Sequence, residues 1–388
     1  MRAYDWQRPP WREINQADAT FYQMGNDPRY HHAIWHLSQQ HPGIVILHDL
    51  MMQHFFSGLV FHDRGMNRRQ YLELVERYHG IKGRVLAERH VQGLLNTEEL
   101  AQSCPLTEAA TENALAVIVH STAAYSALPE DASVVLVPLC VGMETPALAT
   151  RVPAEPYRLT VFGYLGPNRQ LPVLLRALAT FRESSRFRLD VFGTMADQEK
   201  MHQLVCRLGL AERVTLHGFV SGSAMDKALR ETDLVVNLRN PSMGEASGSQ
   251  LHLWQYALPA LVTQHAWYAT LPEETVAFVR PEREIEDIQR HLSQFLENPG
   301  IYRELGQNGR RYVAEQHSIE GYASALLEVA GHAPELQAKW IAHDLARRSA
   351  AAMRSWTDGE TMNSLSLGVA RQIEMMTAGA STELEPAG

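Results

Sequence analysis

Long apolar runs are missing from this chain. No stretch approaches the ~18–20 uninterrupted apolar residues that span a bilayer, and the opening MRAYDWQRPPWREI lacks the apolar centre of a signal peptide. Cysteine is scarce. Cys104, Cys140 and Cys206 are odd in number and widely spaced. They match neither a disulfide framework nor a zinc spacing, so a reducing cytoplasm is the expected setting. Excess positive charge is also missing. The formal net charge is −9, whereas a general nucleic-acid binder needs a basic face to displace counterions. No nucleic-acid partner is therefore expected, although a local basic pocket for a phosphate-bearing ligand is compatible with this charge.

What is present is an ordinary globular composition, 45% apolar and 20% charged, over 388 residues. That length is the size of two domains, each with its own core. Short β-rich runs recur in the first part: ATFYQMG (19–25), GIVILHD (43–49), AVIVHS (116–121) and VVLVPLC (134–140). Helical patterns such as RYHHAIWHLSQQ lie between them. Near-continuous Val/Ile/Leu runs alternating with helices indicate a parallel sheet covered on both faces. Residues 142–156 break the rhythm with three prolines and read as an interdomain linker. Six further strand-like runs follow, at 159–165, 188–194, 213–219, 233–239, 260–264 and 277–281, with amphipathic helices between them. The predicted fold class is α/β, with two Rossmann-like domains facing a cleft, plus C-terminal helices. The boundaries are 1–145, 146–331 and a helical extension with a disordered tail over 332–388. The helical pattern at 334–356 has apolar and basic faces, suited to docking a partner or closing the lobes.

Ligands of such folds sit at the carboxyl ends of the strands, so the loops there carry the functional reading. After the first strand of the second domain comes G-P-N-R (166–169). A glycine-containing turn before a helix leaves free N–H groups that suit phosphate oxygens, and Arg169 adds a charge-assisted donor. The alternative is a solvated arginine near a helix start. After strand 233–239 comes Arg239-Asn-Pro-Ser-Met-Gly-Glu245-Ala-Ser247-Gly248-Ser249, rich in hydroxyls and N–H groups at a helix start. Glu245 is suited to vicinal sugar hydroxyls, or alternatively to stabilising the N-terminal region of that helix. Strand 213–219 ends in His217-Gly218-Phe219-Val220, where a glycine beside an aromatic admits a base to the backbone, or simply makes a turn.

The order G-x-L-x-x-x-R (163–169), R-V-x-L-x-G (213–218) and D-L-V-V-N-L-R-x-P-S-x-G-E-x-S-G (233–248) resembles the donor domain of glycosyltransferase family 4. These are retaining enzymes of the GT-B fold. The subgroup is the bacterial polysaccharide type, and the likeness covers roughly Leu159 to Ala330. The resemblance implies that Gly163, Arg169, Gly218, Phe219, Arg239, Ser247, Gly248 and Ser249 bind the donor, with Glu245 on its sugar. It implies that His48 lies beside the reacting centre and that Gly25, Asn26, His31 and Asp49 face the acceptor. Two positions depart from the pattern: Leu253 stands where the family has a second Glu, and Tyr164 where a second basic residue is common. No glycine precedes Gly25, so the first lobe reads as short by its opening strand–helix units, from a truncated frame or a degenerate lobe.

The implied reaction transfers a hexosyl unit from a nucleotide-diphosphate sugar to a saccharide, glycoconjugate or lipid-linked saccharide acceptor, with retention. No D-x-D pattern occurs, so no metal and no cofactor are expected, and helix N-termini with Arg169 carry the leaving-group charge. Self-association and peripheral membrane contact remain compatible with the sequence. The competing expectations are a non-catalytic glycosyltransferase-like subunit that binds nucleotide or a partner protein, and a nucleotide-sugar epimerase.

Overall fold

The computed structural model describes residues 7–62, 65–129, 132–142, 153–195 and 197–353. The domain boundary expected at 145/146, most of the linker read at 142–156, and the tail beyond residue 353 lie outside the described residues.

The first lobe contains a four-stranded parallel sheet in the order β1-β2-β3-β4. Its strands are Phe21–Met24, Gly43–Leu47, Ala114–Val119 and Val134–Leu136. Alternation assigns its two faces. Tyr22, Val45, Leu47, Val117 and Val119 point to one, where they meet Phe55, Phe56 and Leu59 of helix Gln53–Phe61. Ile44, Ile46, Ala116 and Ile118 point to the other. That face is covered from far along the chain, by Tyr322, Ala325, Leu326 and Val329 of helix Ile319–Gly331 and by Leu336 of helix Ala333–Met353. The C-terminal helices thus return to the first lobe and join it to the second. The last helix, Ala333–Met353, packs against β3 of the first lobe and against helix Ile319–Gly331.

The second lobe contains a six-stranded parallel sheet in the order β10-β9-β8-β5-β6-β7. The strands are β5 Tyr157–Phe162, β6 Phe187–Phe192, β7 Val214–Gly218, β8 Leu234–Asn237, β9 Ala260–Thr263 and β10 Ala277–Val279. The order reverses between β8 and β5, which opens a crevice beyond their carboxyl ends. Helix Leu171–Thr180 buries Leu171, Leu174, Leu175 and Leu178, the face expected from their spacing. Truncating one such leucine to alanine costs about 2–5 kcal/mol. Leu253 is fully buried against the opposite face, in a cluster with Trp254, Tyr268 and Val313. The departure at this position thus places an apolar side chain in the core.

The strands are shorter than their sequence runs, because each run continues into the loop that follows. The polar ends Gly163–Leu165, Gly193–Thr194 and His48–Asp49 lie beyond the ladders. Those loops make the site.

Candidate active site

Arg169 closes the turn Pro167–Arg169 after β5 and is 5% exposed. It does not sit in solvent at a helix start. Its Nη1 donates to Asn237 Oδ1 (2.6 Å) and its Nε to the Tyr164 carbonyl (3.2 Å). The guanidinium passes beneath Gly163, where φ is +109° and a Cβ would lie 2.6 Å from Nη2. Burial brings the Arg169 pKa down to about 10; Arg239 adds to this, and Tyr268 and Glu245 oppose it. Asn237, at the end of β8, donates through Nδ2 to Gln250 Oε1 (2.9 Å). Gln250 lies in the first turn of helix Gly248–Gln255. Ser247 caps that helix, accepting from the Gln250 amide (3.1 Å), and its hydroxyl pairs with Ser249 (3.0 Å).

Three polar atoms at or beside this network, Tyr268 Oη, Gln250 Nε2 and Arg239 Nε, are buried without a hydrogen bond among the described residues, and Arg239 Nε has only an ion pair with Glu245 at 3.4 Å. Buried polar groups are rarely left so, and each such group asks for an explanation. Two arginines, orphan donors and a helix N-terminus together form an electropositive pocket suited to a polyanion.

Glu245 belongs to the loop before the helix, not to its first turn. Its Oε2 accepts from the Ser242 hydroxyl (3.0 Å) and the Met243 amide (2.7 Å). Its Oε1 lies 3.4 Å from Arg239 Nε. The carboxylate is therefore aimed by its own loop. That loop rests on the first lobe. Met51 N donates to the Met243 carbonyl (2.9 Å). A Cβ on Gly244, whose φ is +81°, would lie 2.4 Å from Leu50 Cβ.

A cavity of about 620 Å³ opens between the lobes at this contact. From the second lobe it is lined by Tyr164, Gly166, Asn168, Arg239, Met243 and Glu245, and from the first by Asn26, Asp27, Arg29, Asp49, His54, His62 and Glu98. Asp49 accepts from the Asn26 amide (2.9 Å). Burial, and then the Glu245 carboxylate, push its pKa up to about 6.

A second pocket, of about 350 Å³, lies over the ends of β5, β6 and β7. Phe162, Gly163, Phe192 and Val220 form its floor and walls, with Tyr164 and Phe219 at the rim. These two rim rings are 65% and 84% exposed. Exposed aromatics over an apolar slot provide stacking surface for a flat ring.

His48 has other surroundings than its place at a strand end suggests. Beyond the end of the strand its ring lies beside His120, which in turn neighbours Tyr322 on the side covered by helix Ile319–Gly331. Its Nε2 donates to Gln23 Oε1 (3.1 Å), and its ring lies 5.2 Å from that of His120. Burial, with His120 and His31 adding to it, holds its pKa down at about 4. Asp49, not His48, is among the cavity's lining residues. His31 is half-buried, its Nδ1 donating to the Gln23 carbonyl (3.0 Å). Gly25 is enclosed between the His31 ring and the Asp49 carboxylate. Sequence reading missed Asn237, Gln250, Tyr268, His54, His62 and Glu98. A single polar residue ending an apolar strand, as Asn237 does, was the available signal for the first of these.

Residues 149–312 match the family model of glycosyl transferases group 1. No curated protein sequence matches the chain. Among solved structures, Anabaena HepE in complex with UDP-glucose superposes with a TM-score of 0.56 at 14% identity, over 82% of this chain and 80% of that one. Sucrose-phosphate synthase from Thermosynechococcus elongatus gives 0.54 at 18% identity, over 76% and 69%. A glycosyltransferase from Rickettsia africae gives 0.50 at 13%, over 77% and 92%. The fold is GT-B. The residues that match the group 1 model form the second lobe, and both pockets lie at the carboxyl ends of its strands.

Proposed function

We propose that this chain is a retaining glycosyltransferase that moves a hexosyl unit from a nucleotide-diphosphate sugar to a saccharide or glycoconjugate acceptor. The observation that carries the reading is the Arg169–Asn237–Gln250 network, with Arg239 and Glu245 beside it at the start of helix Gly248–Gln255. The arginines, the orphan donors and the helix N-terminus would hold the diphosphate and stabilise it as it leaves. The base would stack in the slot rimmed by Tyr164 and Phe219, and Glu245 would receive hydroxyls of the donor sugar. That HepE binds UDP-glucose supports this donor class. In the step itself, the bond between C1 and the phosphate oxygen breaks and its electron pair leaves with the diphosphate. The acceptor oxygen bonds to C1 on the same face, and its proton passes to the departing phosphate. We place the reaction in the cytoplasm, a setting in which Cys104, Cys140 and Cys206 stay free.

A second reading is a glycosyltransferase-like subunit that binds nucleotide without turnover. It is favoured by Leu253 in the core and by a Glu245 carboxylate already engaged by three partners. Calorimetry with UDP, GDP and ADP, paired with donor hydrolysis, separates the two. Nucleotide binding with slow release of free sugar supports the enzyme, and binding with no turnover supports the subunit.

A further inference from the structure

Helix Ala333–Met353 packs against β3 of the first sheet and leaves a cavity of about 360 Å³ beside it. Glu112 and Ser133, just before β3 and β4, stand on one wall; Lys339, Trp340, His343 and Asp344 of the helix form the other. The cavity therefore lies at the amino ends of strands whose carboxyl ends feed the cleft, roughly 20 Å away along β3. We propose that it is a second saccharide site, in which a pyranose ring stacks on the Trp340 indole and its hydroxyls bond to the polar side chains around it. The inference rests on the glycosyltransferase reading and adds a place for a glycan outside the reacting centre.

The chemistry of the walls decides the ligand. Both carboxylates already have counter-charges. Arg347 donates to Glu112 (2.7 Å) and to Asp344 (3.0 Å), Arg77 also pairs with Glu112, and Arg348 with Asp344. Lys339 Nζ donates to Ser133 Oγ (3.3 Å). The Trp340 indole N–H and the His343 ring make no hydrogen bond among the described residues. A purely apolar ligand would strand these donors and the carboxylate edges away from water. A cation would find both carboxylates taken by arginines. A hydroxyl group donates to the spare lone pairs of a carboxylate and accepts from lysine or imidazole, so it breaks no ion pair. Several hydroxyls around a flat apolar face describe a sugar ring, and half-buried Trp340 offers the matching face. The cavity's volume is within the range of small-ligand sites.

The test is binding of the full-length protein to an array of maltose-, cellulose-, chitin- and uronate-type oligosaccharides, without any donor. Trp340→Ala, Trp340→Phe and His343→Ala are run beside the wild type, with denaturant unfolding and UDP calorimetry on all four. The expected result is binding to one of these glycan types, weakened at least about tenfold in Trp340→Ala and about threefold in His343→Ala. Trp340→Phe, which keeps an aromatic face, should retain most of it. Unfolding midpoints and UDP affinity should match the wild type, which separates a lost site from a lost fold; if Trp340→Ala unfolds, His343→Ala and Trp340→Phe still decide. A wild type that binds none of the glycans, or glycan binding that Trp340→Ala and His343→Ala both retain, overturns the proposal. Glycan binding that depends on Trp340, in a protein that neither binds nucleotide nor transfers sugar, sinks the transferase reading and leaves this site standing.

Discussion

The backbone amide of Met51, in the first lobe, donates to the carbonyl of Met243, in the second, across 2.9 Å. This one bond seats the loop that carries Glu245 directly on the loop that carries Asp49. Two carboxyl groups from different lobes thereby face one cavity, and the ionisation of one is felt by the other. The lobes meet beside the cavity that both of them line.

Gly244 is what permits that approach. Gly244→Ala would place a methyl 2.4 Å from Leu50 Cβ at a φ of +81°. Overpacking costs about 1–3 kcal/mol and left-handed backbone about 1–2 kcal/mol more. Denaturant unfolding should show a loss in that range, whose overpacking part, but not its backbone part, is relieved if Leu50→Gly removes the opposing Cβ. An unchanged midpoint for Gly244→Ala would show that the lobes do not touch there.

Asp49 sets a pH dependence whose sign is definite. Its folded pKa, about 6, lies above the ordinary value of 3.8, so the native state binds the proton more tightly than the unfolded state. The resulting stability is fully present below pH 3.8 and is lost as pH rises through about 6. Asp49→Asn should therefore stabilise the protein at pH 7.5, by about 1–2 kcal/mol after allowance for partial exposure. The gain should shrink at pH 5. A gain of equal size at both pH values contradicts this account of Asp49.

Arg169→Lys keeps the charge but cannot bond both Asn237 and the Tyr164 carbonyl while reaching a phosphate. Calorimetry should show nucleoside diphosphate affinity at least about tenfold weaker, equivalent to about 1.4 kcal/mol. Retention of wild-type affinity would place the diphosphate elsewhere.

Phe219 contributes little to the fold, being 84% exposed. Phe219→Ala should leave unfolding within about 0.5 kcal/mol of wild type. Loss of base stacking should weaken nucleotide binding by about 1–3 kcal/mol. Inorganic pyrophosphate, which has no base, should bind both proteins equally. A variant that loses pyrophosphate and nucleotide alike would argue against stacking.

The two parallel sheets were legible because apolar runs such as DLVVNL and GIVIL have no other stable place than a doubly covered sheet. Arg169, Arg239 and Glu245 were legible because loops after such strands must emerge at one edge. The partners that aim them were not. Tyr268 and Gln250 sit inside apolar patterns, and only tertiary packing brings them to Arg169. His48 and Asp49 are adjacent in sequence, but the His48 ring packs beside His120 while Asp49 lines the cavity, and periodicity alone did not say which of the two would face the cleft. Helix Ile319–Gly331 follows the second lobe in sequence and covers the first, a return that no local signal encodes.

The central claim is that Glu245 receives the donor sugar within a site that holds its diphosphate through other groups. Glu245→Ala tests it by parallel measurement of transfer from a nucleotide sugar and of binding of the corresponding nucleoside diphosphate. The account predicts transfer lowered at least about a hundredfold, with diphosphate affinity within about threefold of wild type. Wild-type transfer by the variant would contradict it.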